Sequence, residues 1–122
     1  MKKKLPMGAF EDAVMEVLWA DGGWMTPSEI HSELAQGRTL AYTTVTTTLV
    51  RLVEKGRLER HPDGRAFVYH PTLTRAQWVA ARMSEVLAGG GDRTTVLGHF
   101  VETLDERQRT QLRRMLAARG EQ

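Results

Sequence analysis

The chain has 122 residues, with 17 lysines and arginines against 15 aspartates and glutamates, and no cysteine. That length suits one domain with a small appendage, able to bury a core without covalent staples. The absence of cysteine excludes disulfides and thiolate metal sites, and a net charge of +2 is too small to announce a nucleic-acid partner by itself.

The N-terminus, Met1-Lys2-Lys3-Lys4, opens like an export signal, but Pro6 and Gly8 interrupt the apolar run and Glu11-Asp12 ends it. No stretch approaches the roughly 20 apolar residues of a membrane span. A cytoplasmic protein with no membrane insertion is expected. Residues 8–20 read as a first helix, with Phe10, Val14, Val17 and Leu18 on one stripe, flanked by Met15 and Trp19. Asp21-Gly22-Gly23 ends it. Thr26-Pro27-Ser28-Glu29 is a capping box: a threonine N-cap, proline at the first helical position and glutamate three residues after the cap. Ile30 and Leu34 give this second helix its apolar face, and Gly37 closes it.

After a short turn comes Ala41–Gly56, the most informative stretch. Five of the six residues from Thr43 to Thr48 are threonines, yet Val45, Leu49, Leu52 and Val53 keep a helical stripe. Gly56 stands where a helix ends in the left-handed conformation. β-branched residues lower helix propensity, so their concentration calls for a reason. Short hydroxyl side chains on an exposed face can approach a DNA groove closely and bond to phosphates and base edges. Turning about 100° per residue from Val45 points Thr43, Thr47 and Val50 outward. Thr44, Thr46 and Arg51 flank them, and Thr48 leans inward. Recognition helices read bases with their N-terminal residues. This nominates Thr43, Thr44, Thr46 and Thr47 for the groove, Tyr42 for the DNA backbone at the helix start, and Arg51 and Lys55 for phosphates.

The period then changes. Arg57–His61 and Ala66–His70 read as strands, joined by the turn Pro62-Asp63-Gly64-Arg65 and stopped by Pro71. Three helices followed by a hairpin make a winged helix-turn-helix. Arg60, His61 and Arg65 lie on or beside the hairpin tip, where a wing meets phosphates or the minor groove. From Arg38 to Arg65 six positive residues face three acids, whereas from Met83 onward the count is six against six. The basic bias therefore lies on the middle segment, with a further cluster at Lys2–Lys4.

Beyond Pro71, amphipathic helices are expected over Thr74–Leu87, Asp92–Val101 and Asp105 to about Arg119, with Gly89-Gly90-Gly91 as a hinge. They are too few to close a core of their own, and a second copy of the chain is the economical cover. Trp78, Met83, Val96, Leu97, Phe100, Val101, Leu112, Met115 and Leu116 are the candidate dimerisation residues. The expected division is a DNA-binding domain over residues 1–73 and a helical dimerisation region over 74–122. The overall class is mostly α with a small β-hairpin.

Catalytic and metal signatures are absent. His31, His61, His70 and His99 show no ligand spacing, and the glycine run lacks the Lys-Ser/Thr of a phosphate loop. Neither an enzyme nor a cofactor is expected. Glu11 and Asp12 suit the positive end of the first helix dipole. Two other readings compete with the DNA-binding one. A ligand-sensing winged-helix dimer would need a pocket, for which Trp78, Met83 and Phe100 are available. A winged helix used only for protein contact would show no salt-sensitive duplex binding.

The chain resembles the penicillinase-repressor (BlaI/MecI) family of bacterial regulators over nearly its whole length. The resemblance runs through Glu11, Val14-Met15 and Leu18-Trp19, and is strongest in Ala41-Tyr42-Thr43-Thr44-Val45, Thr47, Leu49, Arg51-Leu52 and Lys55-Gly56. It continues through Arg65, Tyr69 and Pro71 to His99-Phe100-Val101-Glu102 and the helix led by Leu104. It implies a winged-helix homodimer joined through its C-terminal helices. It also implies operators with inverted TACA/TGTA-like half-sites and repression of β-lactamase or related resistance genes. Release would follow proteolysis triggered by a membrane-bound sensor protease system. The bond cleaved in such repressors is Asn-Phe; His99-Phe100 stands at that place here. A related copper-responsive branch uses Cys-x-Cys, which this chain lacks.

Overall fold

A computed structural model describes residues 8–120; the lysine cluster Lys2–Lys4 lies outside them. The elements are α1 (Ala9–Asp21), α2 (Pro27–Leu34), α3 (Tyr42–Glu54), β1 (Leu58–Asp63), β2 (Ala66–Pro71), α4 (Arg75–Ala88), α5 (Arg93–Thr103) and α6 (Glu106–Gly120). The chain divides between Trp78 and Val79 into two compact units.

The first unit is a winged helix. Its core gathers Val14, Met15 and Leu18 of α1, Ile30 and Leu34 of α2, Val45, Leu49 and Leu52 of α3, and Leu58 and Tyr69 of the hairpin. Burying each large apolar side chain contributes roughly 1.5–3 kcal/mol, so a core of this size organises the three helices. The capping box at Thr26 is formed: the Thr26 amide donates to Glu29 Oε1 at 2.8 Å, and the Glu29 amide donates to Thr26 Oγ1 at 3.2 Å. α3 ends in a Schellman motif. The Gly56 amide reaches the Val53 carbonyl, the Arg57 amide reaches that of Leu52, and Gly56 takes φ 75°.

β1 and β2 pair antiparallel, with Arg60 opposite Tyr69 and Pro62 opposite Phe67. The strands extend further than the alternation pattern suggests, so the turn shrinks to Gly64-Arg65. Gly64 carries the positive φ (65°) and Arg65 does not, the pattern of a type II′ turn, which needs glycine first. Pro62 is tolerated because the sheet has only two strands and β1 has a free edge. Met25 adds a short third rung: its amide and carbonyl both exchange hydrogen bonds with Tyr69. That rung ties the α1–α2 link to the wing.

One residue named from the sequence for dimerisation lies inside the first unit. Trp78 is only 3% exposed and belongs to the core of the first unit. Its indole N–H donates to Asp12 Oδ1 at 2.6 Å, and its ring meets Trp19 edge-on at 6.2 Å. The guanidinium carbon of Arg57 lies over the ring, 5.0 Å from its centroid. A side chain surrounded in this way contributes to the core of its own unit. Arg75 reinforces the same anchor by gripping Glu16 with a two-point ion pair and lying over Trp19.

The second unit holds the rest of α4 with α5 and α6. Its helices start on local caps: Asp92 accepts from the Thr94 amide, and Asp105 with Gln108 forms a reciprocal box. Met83, Leu97, Phe100, Val101, Met115 and Leu116 are exposed, while Val96 and Leu112 are half-buried. Among the described residues, no helix is long and apolar enough to cross a membrane.

Candidate nucleic-acid interface

The face of α3 that points away from the core sorts its threonines by what their hydroxyls do. Thr48 is 6% exposed, and its Oγ1 donates to the Thr44 carbonyl one turn back at 2.8 Å. The hydroxyl is satisfied inside the helix, which is how a buried threonine is tolerated there. Thr46 is half-buried and donates to the Thr43 carbonyl at 3.1 Å. Thr43, Thr44 and Thr47 are exposed, and their hydroxyls make no hydrogen bond among the described residues. Val50, 42% exposed, and Arg51 continue the same face toward the C-terminal end. The surface is therefore a strip of short donor–acceptor groups and methyls that ends in a guanidinium.

The start of α3 has its own geometry. Ala41 offers no side-chain cap, and no acidic residue occupies the first turn. The positive end of the α3 dipole therefore faces no acidic side chain of its own first turn. The turn before it is braced by His31, whose Nε2–H donates to the Leu40 carbonyl at 2.6 Å. The same imidazole meets the Tyr42 ring edge-on at 5.7 Å. Tyr42 is thus held at the helix start while remaining 46% exposed.

The cations nominated from the sequence differ in their freedom. Arg51 and Arg65 are exposed and make no ion pair among the described residues. Lys55 is already engaged by the Glu11 carboxylate, at 3.2 Å. Arg60 lies over the Phe67 ring at 4.3 Å. His61 belongs to a group that sequence reading missed. Trp24 meets His61 edge-on at 4.8 Å and stacks on His70 at 5.0 Å. The Met25–Tyr69 rung brings these three together, and no local periodicity signals it. Among the described residues no group of three potential metal ligands occurs. An open cleft of about 380 Å³ beside Trp19, Pro71 and Leu73 is mostly apolar, and His70 is its single titratable side chain.

In the second unit, His99 and Phe100 are both exposed on α5, and His99 Nδ1 lies 3.5 Å from Glu102 Oε1. The bond between them sits within a continuous helix rather than a loop.

The family model described as penicillinase repressor matches residues 7–118. The transcriptional regulator BlaI of Mycobacterium tuberculosis is 39% identical over 120 residues, covering 96% of this chain and 87% of the relative. The penicillinase repressor of Bacillus licheniformis is 33% identical over 87 residues, covering 71% of this chain and 67% of the relative. In structure, the chain is similar to the DNA-binding domain of the repressor BlaI solved in solution. The TM-score is 0.51 and the identity 36%, over 62% of this chain and 92% of that one.

Proposed function

Because the chain belongs to the penicillinase repressor family, we propose that it is a sequence-specific DNA-binding transcriptional repressor that acts as a homodimer on inverted half-sites. The observation that carries this reading is the uncommitted strip Thr43, Thr44, Thr47, Val50 and Arg51 on α3. In the complex this strip enters the major groove. Threonine hydroxyls bond to base edges and phosphates, and their methyls meet thymine methyls. The opening N–H groups of α3 and Tyr42 take the adjacent backbone, and Arg51 takes a phosphate further along. Lys55 joins them once it exchanges Glu11 for phosphate. Arg60 and Arg65 of the wing follow the flanking minor groove.

The modest charge of one protomer is compatible with tight binding if two protomers are linked. The second half-site is then captured at high effective concentration. The exposed apolar residues of α4, α5 and α6 supply the self-association surface. TACA/TGTA-like half-sites and control of β-lactamase or related genes extend the reading by family resemblance. Cleavage at His99-Phe100 would separate α6 and the end of α5 from the DNA-binding unit. Each half-site would then be bound alone and occupancy would fall. Such a cut requires α5 to unwind locally, since the bond is helical.

The test is a gel-shift titration against an inverted TACA/TGTA duplex and a scrambled duplex of equal length, each at two salt concentrations. Salt-sensitive retention of the first duplex alone, by a species of dimer stoichiometry, is expected. Equal retention of both moves the specificity elsewhere. No retention of either overturns the reading in favour of a protein-contact role.

A further inference from the structure

Phe67 is a large apolar side chain left 40% exposed on a hairpin that buries Leu58 and Tyr69. Side chains alternate along a strand, and the register puts Leu58, Arg60 and Pro62 on the same face as Pro71, Tyr69 and Phe67. Leu58 and Tyr69 use that face to enter the core. Arg60 stands directly across from Tyr69 at the edge of those core contacts, and Phe67 lies one same-face position nearer the turn. The guanidinium carbon of Arg60 sits 4.3 Å from the centroid of the Phe67 ring. Arg60 makes no ion pair among the described residues. Its contact there is thus an aromatic face and not a carboxylate.

We propose that Phe67 is a positioning residue for nucleic-acid recognition, holding the Arg60 guanidinium in place for insertion beside the operator backbone or minor groove. This rests on the DNA-binding reading above. A free arginine on a strand surface samples many rotamers and loses them on binding. A guanidinium lying on a ring has that cost largely met beforehand. Its N–H groups also stay in plane around the edge, open to acceptors, because the ring uses only its π face. A carboxylate partner would do the opposite, occupying the donors and cancelling the charge. Phenylalanine itself brings no hydrogen-bonding group, so it orients Arg60 without competing for the nucleic acid.

The experiment is a double-mutant cycle in the full-length protein: wild type, Phe67→Leu, Arg60→Gln and the double variant. Operator and scrambled duplexes are titrated by fluorescence anisotropy at several salt concentrations. Leucine keeps the apolar bulk and removes the π face. Phe67→Leu is expected to weaken operator binding by about three- to tenfold, and by less than about twofold once Arg60 is glutamine. Phe67→Tyr is expected to bind as wild type does. In the free protein, the Arg60 Hδ resonances should show a ring-current shift that Phe67→Leu abolishes. An equal loss from Phe67→Leu in both Arg60 backgrounds would assign Phe67 to wing stability alone and overturn the proposal. So would an absent ring-current shift. If the wild-type protein does not prefer the operator, the DNA-binding reading fails first and the positioning role falls with it. A preference that Phe67→Leu leaves intact overturns the positioning role alone.

Discussion

Lys55 Nζ reaches both carboxylate oxygens of Glu11, at 3.3 and 3.2 Å, across 44 positions of sequence. The pair clasps the start of α1 to the end of α3, and it occupies a cation that the sequence nominates for phosphate. With its lysine exposed and its carboxylate half-buried, the pair contributes about 1 kcal/mol or less to stability. Glu11→Gln should therefore cost less than about 1 kcal/mol in denaturant unfolding. In DNA binding it should act the other way, releasing Lys55 and raising operator affinity at low salt. If Lys55 meets phosphate only after leaving Glu11, the variant and the wild type will show the same number of released counterions, and the affinity difference will persist across salt. If Lys55 stays paired with Glu11 in the wild-type complex, the variant's salt slope will steepen by about one ion.

Two neighbouring threonines should separate recognition from folding. Thr47 is exposed with an uncommitted hydroxyl, while Thr48 is buried with its hydroxyl bonded to Thr44. Thr47→Ala is expected to leave the unfolding midpoint unchanged and to weaken operator binding by about tenfold, the low end of a base-contact loss. Thr48→Ala should instead cost about 1 kcal/mol of stability and change affinity only through the folded fraction. Paired denaturation and binding curves read both effects. Unchanged affinity in Thr47→Ala would remove that residue from the interface.

Trp78 should behave as a core residue. Replacing it by alanine leaves a cavity beside Trp19 and an Asp12 carboxylate without its indole donor. A loss of about 3–5 kcal/mol is expected from the cavity. Phenylalanine should recover most of the packing but not the hydrogen bond, and should sit between the two. Thermal unfolding followed by tryptophan fluorescence measures the series. Wild-type stability in Trp78→Ala, with impaired self-association, would return the residue to the dimer surface.

The cap of α2 carries a pH dependence whose sign is fixed. Hydrogen bonds from the Thr26 backbone N–H first, and from its side chain second, hold the Glu29 carboxyl below its ordinary value. A depressed folded pKa means that its contribution is full above the unfolded value, about 4.3. The contribution declines as pH falls below that and is gone once pH passes the folded value. Glu29→Gln keeps a hydrogen-bonding box without a titrating group. Its stability relative to wild type should therefore improve as pH is lowered from 6 to 3, a range set by the carboxylate values. A pH-independent difference between the two proteins would contradict the linkage.

What could be read in advance was local. The helical stripe Val45, Leu49 and Leu52 against period-two strands marked the winged helix. The Thr26 box and Gly56 marked two helix ends to within a residue or two. The same Ser/Thr/Asp-x-x-Glu/Gln pattern recurs at Thr74–Gln77 and Asp105–Gln108, where it is also formed, so those starts were equally available. The extent of β1 was hidden by Pro62, which reads as a turn residue until the free edge of the sheet is known. Non-local partners left no periodic trace. Trp78 looks like any apolar residue of an amphipathic helix until Asp12 and Trp19 are found beside it. Glu11 looks sufficient as a dipole partner until Lys55 arrives. For the interface, rotation about α3 identified the outward threonines, but burial and hydrogen bonding together distinguished Thr46 from Thr43, Thr44 and Thr47.

The residues on the outward strip of α3 hold up almost nothing. Thr43, Thr44 and Thr47 bury no core, and their hydroxyls brace no turn; the helix is held by its other side and by its Schellman end. On the proposed DNA-binding reading, substitutions there change which duplex is read while leaving the unfolding free energy nearly untouched. If that strip reads the operator, this scaffold can acquire a new target site by drift at three or four positions, without first accumulating compensating mutations elsewhere.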